Sequence, residues 1–373
     1  MLKKLKIGRK LLRELDFVVI ILIILLVAFS TINVHSATHL RYGNYYLKSQ
    51  LIGLVVGLIL GYLVLIPDYS IVKDYAVVIY MFGVFLLILN CLPMFQVTVN
   101  GASSWIKIGP ITMQPSEFAK IGIIMMLAKE LDDMEGKIND FKNFFKLTAY
   151  AGFPMLLIVT QPDMGMTMVC FFIVLGIYFT SGLNLKAILG IILATIISVA
   201  MFWNSPLMQP HWKSRLTSFI NPGADPLGAG YQLEQSKIAI GSGGVLGKGF
   251  MQSTQISGGF IPEDHTDFIF AVVCEEWGLI GAVVLLLLYG ILIYRLVRIA
   301  QNAKDIFGSV ISVGIISTIL FSVLQNIGMT IGIMPITGIT LPFMSYGRSS
   351  MLTAFMCLAL VLNVGMRKRK FNF

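Results

Sequence analysis

The sequence predicts an all-α polytopic membrane protein of about ten transmembrane helices, with both termini cytoplasmic and a large extracellular loop between helices seven and eight. Three observations carry this expectation. Of 373 residues, 56% are hydrophobic and only 13% charged, with a mean hydropathy of +0.82. A soluble domain is roughly a quarter charged, so lipid must solvate much of this chain. Apolar runs of near-spanning length recur from end to end. Between them, lysine and arginine collect in the segments that would lie inside the cell.

The ten apolar segments are 17–33, 50–66, 74–93, 115–129, 147–160, 165–181, 186–203, 267–294, 307–332 and 346–365. The fourth and fifth are short for independent spans, which predicts that they pack inside the bundle. The N-terminal tail carries Lys3, Lys4, Lys6, Arg9, Lys10 and Arg13, and the C-terminal tail Arg367, Lys368, Arg369 and Lys370. Two cytoplasmic tails require an even number of spans. The 130–146 loop, with Lys137, Lys142 and Lys146, and the loop with Arg295, Arg298 and Lys304 then fall inside as well. Phe17–Ile32 could serve as a signal peptide with a weak cleavage point at Ser36-Ala37, but the many later spans favour a retained first helix. The whole chain, 1–373, reads as one transmembrane domain carrying an extracellular loop at 204–266.

Composition also excludes some functions. The net charge of +9 is distributed as topology signals rather than as a basic patch, which argues against nucleic acid as a partner. Cys91, Cys170, Cys274 and Cys357 lie in or beside apolar runs without CxxC spacing, so neither a disulfide framework nor a metal knuckle is expected. Gly241-Ser-Gly-Gly-Val-Leu-Gly-Lys248-Gly249 fails as a phosphate-binding P-loop, because Ser242 and Gly249 occupy positions where Gly and Ser or Thr are needed.

Ionisable groups in or beside spans mark function by default. Asp267 stands in Pro262-Glu-Asp-His-Thr-Asp267-Phe-Ile-Phe-Ala, in the expected first turn of the eighth span, with Thr266 as its cap. Held ionised yet poorly hydrated at the outer surface, it suits a general base; as a bland alternative it stabilises a helix N-terminus. Glu263 and Asp264 read as solvated loop charges, and His265 could support Asp267. Glu275 and Glu276 read as structural or gating groups facing the bundle interior. Pro115 suits a helix start, placing Glu117 in the first turn and Lys120 on the same face three residues on. That pair either neutralises itself or leaves Lys120 to hold a pyrophosphate. Trp105 is an interfacial anchor or a sugar-stacking ring. Arg215, Lys213, Lys237 and Lys248 give the long loop a basic character suited to an anionic ligand. Asp163 either caps the sixth span or pairs with Lys120.

Several segments together carry a resemblance. They are Gln114-Pro-Ser-Glu117-Phe-Ala-Lys120, Gln161-Pro-Asp163-Met-Gly, Tyr231-Gln-Leu-Glu-Gln-Ser-Lys237-Ile-Ala-Ile-Gly-Ser-Gly-Gly and the Pro262–Ala271 run. Asn326-Ile-Gly-Met, Pro335-Ile-Thr-Gly338 and Leu341-Pro-Phe-Met-Ser345-Tyr-Gly347 complete the set. In this order, over nearly the whole chain, they resemble the RodA/FtsW/SpoVE (SEDS) family, with a slightly more RodA-like middle run. The resemblance implies a ten-helix fold and peptidoglycan glycosyltransferase activity on lipid II. It implies that Asp267 is the essential acidic residue, with Trp105, Glu117 and Lys120 at other sensitive positions. It also implies pairing with a class B penicillin-binding protein, a transpeptidase. The substrate-binding set expected on both grounds is Trp105, Glu117, Lys120, Arg215, Lys237, His265 and Ser345. The one cofactor candidate is a divalent cation, Mg2+ or Mn2+, which would offset charge on the pyrophosphate. Two positions depart from the family pattern: Arg348 stands where the second glycine of Ser-Tyr-Gly-Gly-Ser is common, and Met166 where Thr is common. A lipid II flippase and a scaffold that only recruits the transpeptidase stay open as alternatives.

Overall fold

In a computed structural model of the chain, residues 9–99, 102–109, 111–203, 205, 210–221, 223, 225 and 228–367 are described. The tail residues Lys3, Lys4, Lys6, Lys368, Arg369 and Lys370 lie outside them, as do parts of the 204–266 loop. Each of the ten apolar segments corresponds to a helix. A short α1 (Arg9–Arg13) leads into α2 (Phe17–Tyr42) and α3 (Tyr45–Leu65), and α4 (Tyr69–Asp74) leads into α5 (Ala76–Asn90). After a small sheet come α6 (Pro115–Asp133), α7 (Phe141–Thr160), α8 (Met164–Thr180) and α9 (Leu185–Phe202). The long loop holds α10 (Pro210–Ile220), α11 (Ala229–Gly243) and α12 (Thr254–Ser257). The last three apolar segments are α13 (Ile269–Gln301), α14 (Ile306–Ile331) and α15 (Arg348–Met366).

Among the described residues six helices are long and apolar enough to cross a membrane: α2, α3, α7, α13, α14 and α15. Three shorter apolar helices, α5, α8 and α9, join them. The chain is therefore a multi-pass membrane protein. The remaining apolar segment, α6, is too charged to stand alone in lipid, and instead fills the centre: 15 of its 19 residues are buried. This matches the expectation that the fourth segment packs inside. The fifth does not pack inside: Phe141, Phe144 and Phe145 extend the helix to 20 residues, and α7 buries only Leu147, Ala151, Pro154 and Ile158.

Aspartates fix several helix starts by accepting from the free amides of the first turn. Asp16 accepts from Val19 N at 3.3 Å and is held by Arg295 at 2.6 Å. Asp305 accepts from Gly308 N at 2.8 Å and Asp163 from Met166 N at 3.0 Å.

Two expectations need correction. The fold is not all-α: the segment between α5 and α6 forms an antiparallel sheet, β1 (Gln96–Val99), β2 (Ala102–Ile108) and β3 (Ile111–Met113), in that order. Val97 pairs with Trp105 and Lys107 with Thr112. The runs Gln-Val-Thr-Val and Ser-Trp-Ile-Lys-Ile alternate in a way that suits a half-buried hairpin. The 204–266 segment is also more regular than a loop, since α10, α11 and α12 pack back onto the bundle.

That packing depends on an exchange of backbone between the segment and α13. At Gly278 (φ 65°, ψ −160°) α13 breaks. Leu279 N and Ile280 N turn to Gly244 O and Val245 O at 2.9 and 3.2 Å, while Lys248 N and Gly249 N reach Glu275 O and Glu276 O at 2.9 and 3.0 Å. A Cβ on Gly278 would lie 2.3 Å from Gly247 N, so the approach tolerates only glycine.

Candidate functional site

The segment before α13 and the chain that packs on it set the position of Asp267. The residue does not begin the helix and Thr266 does not cap it: helix geometry starts at Ile269 after Phe268. Asp267 sits in a turn closed by Phe268 N to Glu263 O at 3.0 Å. The 333–347 segment pins this turn from the far side. Ser345 Oγ donates to Thr266 O at 2.5 Å and accepts from Leu341 N at 2.8 Å. Asn326 Nδ2 donates to Asp267 O and Ile339 O, both at 2.8 Å. Tyr346 N reaches His265 O at 2.8 Å. The backbone of Asp267 is thus held at several points, while among the described residues no donor lies within hydrogen-bond distance of its carboxylate.

The carboxylate faces a cavity of about 420 Å³. Trp105 and Ser104 of β2, Asp163 at the start of α8, Arg215 of α10 and Glu263 line it, together with Tyr45, Tyr346 and Arg348. Trp212 Nε1 donates to Pro162 O at 3.2 Å and so seats α10 against the α7–α8 turn. Three residues on, Arg215 Nη1 reaches Thr337 O at 3.3 Å. Gly338 (φ +74°) lies between the two charges: a Cβ there would be 3.4 Å from Asp267 Oδ2 and 3.9 Å from Arg215 Nη1. Glycine leaves the space between acid and cation open.

Burial, and then the nearby Glu263 charge, push the Asp267 carboxyl up to about 7, against the pull of Arg215. A carboxyl in that range is an effective base near neutral pH. Asp163 is also raised by burial. Its Oδ2 accepts from Gln114 Nε2 at 2.8 Å, so it caps α8 and does not pair with Lys120.

A second chamber of about 60 Å³ adjoins the first through Gln114, Gly338, Thr340 and Ser350. Glu117 and Lys120 lie in it, buried and paired at 2.6 Å, and Thr353 Oγ1 also donates to Glu117. Lys120 is therefore already neutralised and does not line the larger cavity.

The other residues singled out from sequence fall in different places. His265 is buried beside the cavity, its Nδ1 3.1 Å from Asp264 Oδ1 and its ring against Tyr46 at 4.5 Å. Ser345 braces the Asp267 turn and lines the smaller chamber. Lys237 is exposed on α11 and packs its stem against Gly332, away from both cavities. Glu263 and Asp264 are not solvated loop charges. Asp264 is fully buried and paired with Arg41 of α2, and Glu263 lines the cavity and accepts from Thr266 Oγ1 at 2.9 Å.

Glu275 is structural, as its depth suggested. Its Oε1 accepts from Thr254 N at 2.8 Å, Gln255 N at 3.0 Å and Lys248 Nζ at 2.7 Å. The sequence reading missed the tyrosines that line the cavity and Gln114. An aromatic pair at the start of an apolar run, Tyr45-Tyr46, was the available signal. Among the described residues no three His, Cys, Asp or Glu side chains gather into a metal site.

Residues 13–370 match the sequence profile of the FtsW, RodA and SpoVE family of cell cycle proteins. The chain is 36% identical over 361 residues to stage V sporulation protein E of Bacillus subtilis, covering 95% of this chain and 98% of that protein. It is 37% identical over 287 residues to the peptidoglycan glycosyltransferase MrdB of Escherichia coli K12, covering 76% of each. A chain from a peptidoglycan synthase complex, solved to explain how polymerization and crosslinking are coordinated, superposes with a TM-score of 0.82 at 30% identity, over 94% of this chain and 97% of that one. The rod shape determining protein RodA of Thermus thermophilus superposes with a TM-score of 0.72 at 28% identity, over 95% and 98%.

Proposed function

Because the chain belongs to the FtsW, RodA and SpoVE family, we infer that it is a peptidoglycan glycosyltransferase and that its reaction takes place in the cavity beside Asp267. It polymerises lipid II at the outer face of the bacterial cytoplasmic membrane, with ten spans and both termini inside. The observation that carries this reading is one carboxylate, backbone-pinned and without a donor, facing open space next to Arg215.

The chemistry follows from that geometry. Asp267 takes the proton of the acceptor sugar's 4-hydroxyl. The hydroxyl oxygen attacks the anomeric carbon of the lipid-linked donor as the bond from that carbon to the diphosphate oxygen breaks. Undecaprenyl diphosphate leaves on the opposite face, so the configuration inverts to a β-1,4 linkage. Arg215, unpaired with any carboxylate among the described residues, offsets the charge that develops on the leaving group. The proton passes from Asp267 to water at the cavity mouth. Trp105 offers a ring on which a sugar can stack. A solved relative works in a complex that both polymerises and crosslinks. By the same reasoning a class B penicillin-binding protein transpeptidase is the partner of this chain.

Purified protein with lipid II in detergent tests the reading, because detergent offers no second compartment to transport into. Glycan chains, with the transpeptidase present or absent, are the expected product. Failure to form chains in both conditions favours a lipid II transporter.

A further inference from the structure

The larger cavity has two cations among the described residues that line it, and only one of them has a role so far. Arg348 is the first residue of α15, is exposed, and lines the cavity beside Tyr346 and Tyr45. Its Nε donates to Ser49 Oγ at 2.9 Å and its Nη2 to Tyr45 OH at 3.4 Å; Ser49 Oγ in turn lies 2.9 Å from Tyr346 OH. All of these partners are neutral hydroxyls. Among the described residues no carboxylate lies within ion-pair distance of Arg348. A cation at the first position of a helix also faces the unfavourable end of the helix dipole. The placement thus costs stability that no acid among the described residues returns. A guanidinium held by hydroxyls and turned to a cavity is suited to an external anion, above all a phosphate that it can grip with two N–H groups.

The reaction brings two diphosphate-linked saccharides to one cavity whose own carboxylates, Asp163, Glu263 and Asp267, repel anions. Arg215 lies beside Asp267 and so serves the diphosphate that leaves. The acceptor's 4-hydroxyl must also reach Asp267, and its own diphosphate then lies at the other end of its disaccharide. Aromatic rings connect the neighbours of the two charges: His265, two residues from Asp267, and Tyr346, two residues from Arg348, both pack on Tyr46, at 4.5 and 4.8 Å. We propose that Arg348, braced by Tyr45 and Ser49, forms a second anion subsite that holds the diphosphate of the acceptor lipid II while its sugars lie along Tyr46 and Tyr346. The proposal rests on the cavity being the glycosyltransferase site.

The test is the initial rate of polymerisation by the full-length protein against lipid II concentration, at low and high salt, for wild type and for Arg348→Gly, Arg348→Gln and Arg348→Lys. Arg348→Gly and Arg348→Gln raise the apparent KM about tenfold, the usual scale for one charge-assisted contact, with a smaller change in kcat. Arg348→Lys recovers most of that loss. The rise of KM with salt seen in wild type flattens in Arg348→Gly, because screening acts on a charge that is no longer there. An Arg348→Gln protein with the wild-type KM and salt dependence overturns the proposal, since a residue that merely braces α3 to α15 needs hydrogen bonds and no charge. An unchanged KM in Arg348→Gly does the same. If wild type forms no polymer, the underlying reading fails together with this one; if wild type polymerises and the variants match it, only this inference falls.

Discussion

Asp267 and Glu275 are carboxylates eight positions apart at one end of α13, and their surroundings are opposite. Glu275 is fully buried, accepts from successive amides of α12 and pairs with Lys248 at 2.7 Å. Asp267 is only partly covered, its backbone is pinned, and its carboxylate accepts from no donor among the described residues. A buried carboxylate that has all its partners organises the chain around it. One denied them in an otherwise braced turn retains its affinity for a proton. Spacing along the sequence does not separate the two; the partners do.

Substitutions sharpen that contrast. The largest effect is expected for Asp267→Asn, which keeps the shape and removes the base: polymerisation by purified protein falls at least ~10²-fold, the lower end of what a general base contributes. The same variant is expected to melt at a higher temperature than wild type at pH 8. A carboxyl whose folded value is raised to about 7 from the ordinary 3.8 favours the protonated folded state, so ionising it above that pH costs stability that an amide does not incur. Glu275→Ala shows the reverse pattern. It strands Lys248 and the α12 amides, and a loss of about 2–4 kcal/mol is expected in detergent melting. A Glu275→Ala protein as stable as wild type would remove one side of the comparison. The smallest effect is expected for Lys237→Ala. Exposed on α11 and outside both cavities, Lys237 is expected to alter the polymerisation rate by no more than about twofold, as for an ordinary surface substitution.

The helices were legible because length and apolarity alone determine them, and each apolar segment became one. Asp267 was legible for a related reason: a carboxylate at the edge of an apolar run is costly and stands out. What stayed hidden depends on contacts between distant parts of the chain. Asp264 read as a solvated charge beside Glu263, yet its partner Arg41 lies 223 residues earlier. Glu117 and Lys120 were visible as a pair, but only the packing of α6 against α15 shows that Thr353 completes it and that Lys120 has no charge to spare. Lys237 was chosen for its sign and its motif; the rotation of α11, which turns it outward, is decided by Leu233, Ser236 and Ala239 on the buried face. The sheet before α6 was missed because its strands of three to seven residues carry an alternation too brief to stand out beside the long apolar runs that flank it.

The central claim is that Asp267 acts as a base whose proton affinity is set by burial, by Glu263 and by Arg215. The pH dependence of the polymerisation rate, measured for wild type, Glu263→Gln and Arg215→Gln, tests it most directly. The base form exists above its pKa, so the wild-type rate should rise with pH through about 7. Removing the Glu263 charge moves that rise to lower pH, and removing the Arg215 charge moves it to higher pH. A rise at the same pH in all three proteins, or any such rise preserved in Asp267→Asn, would contradict the account.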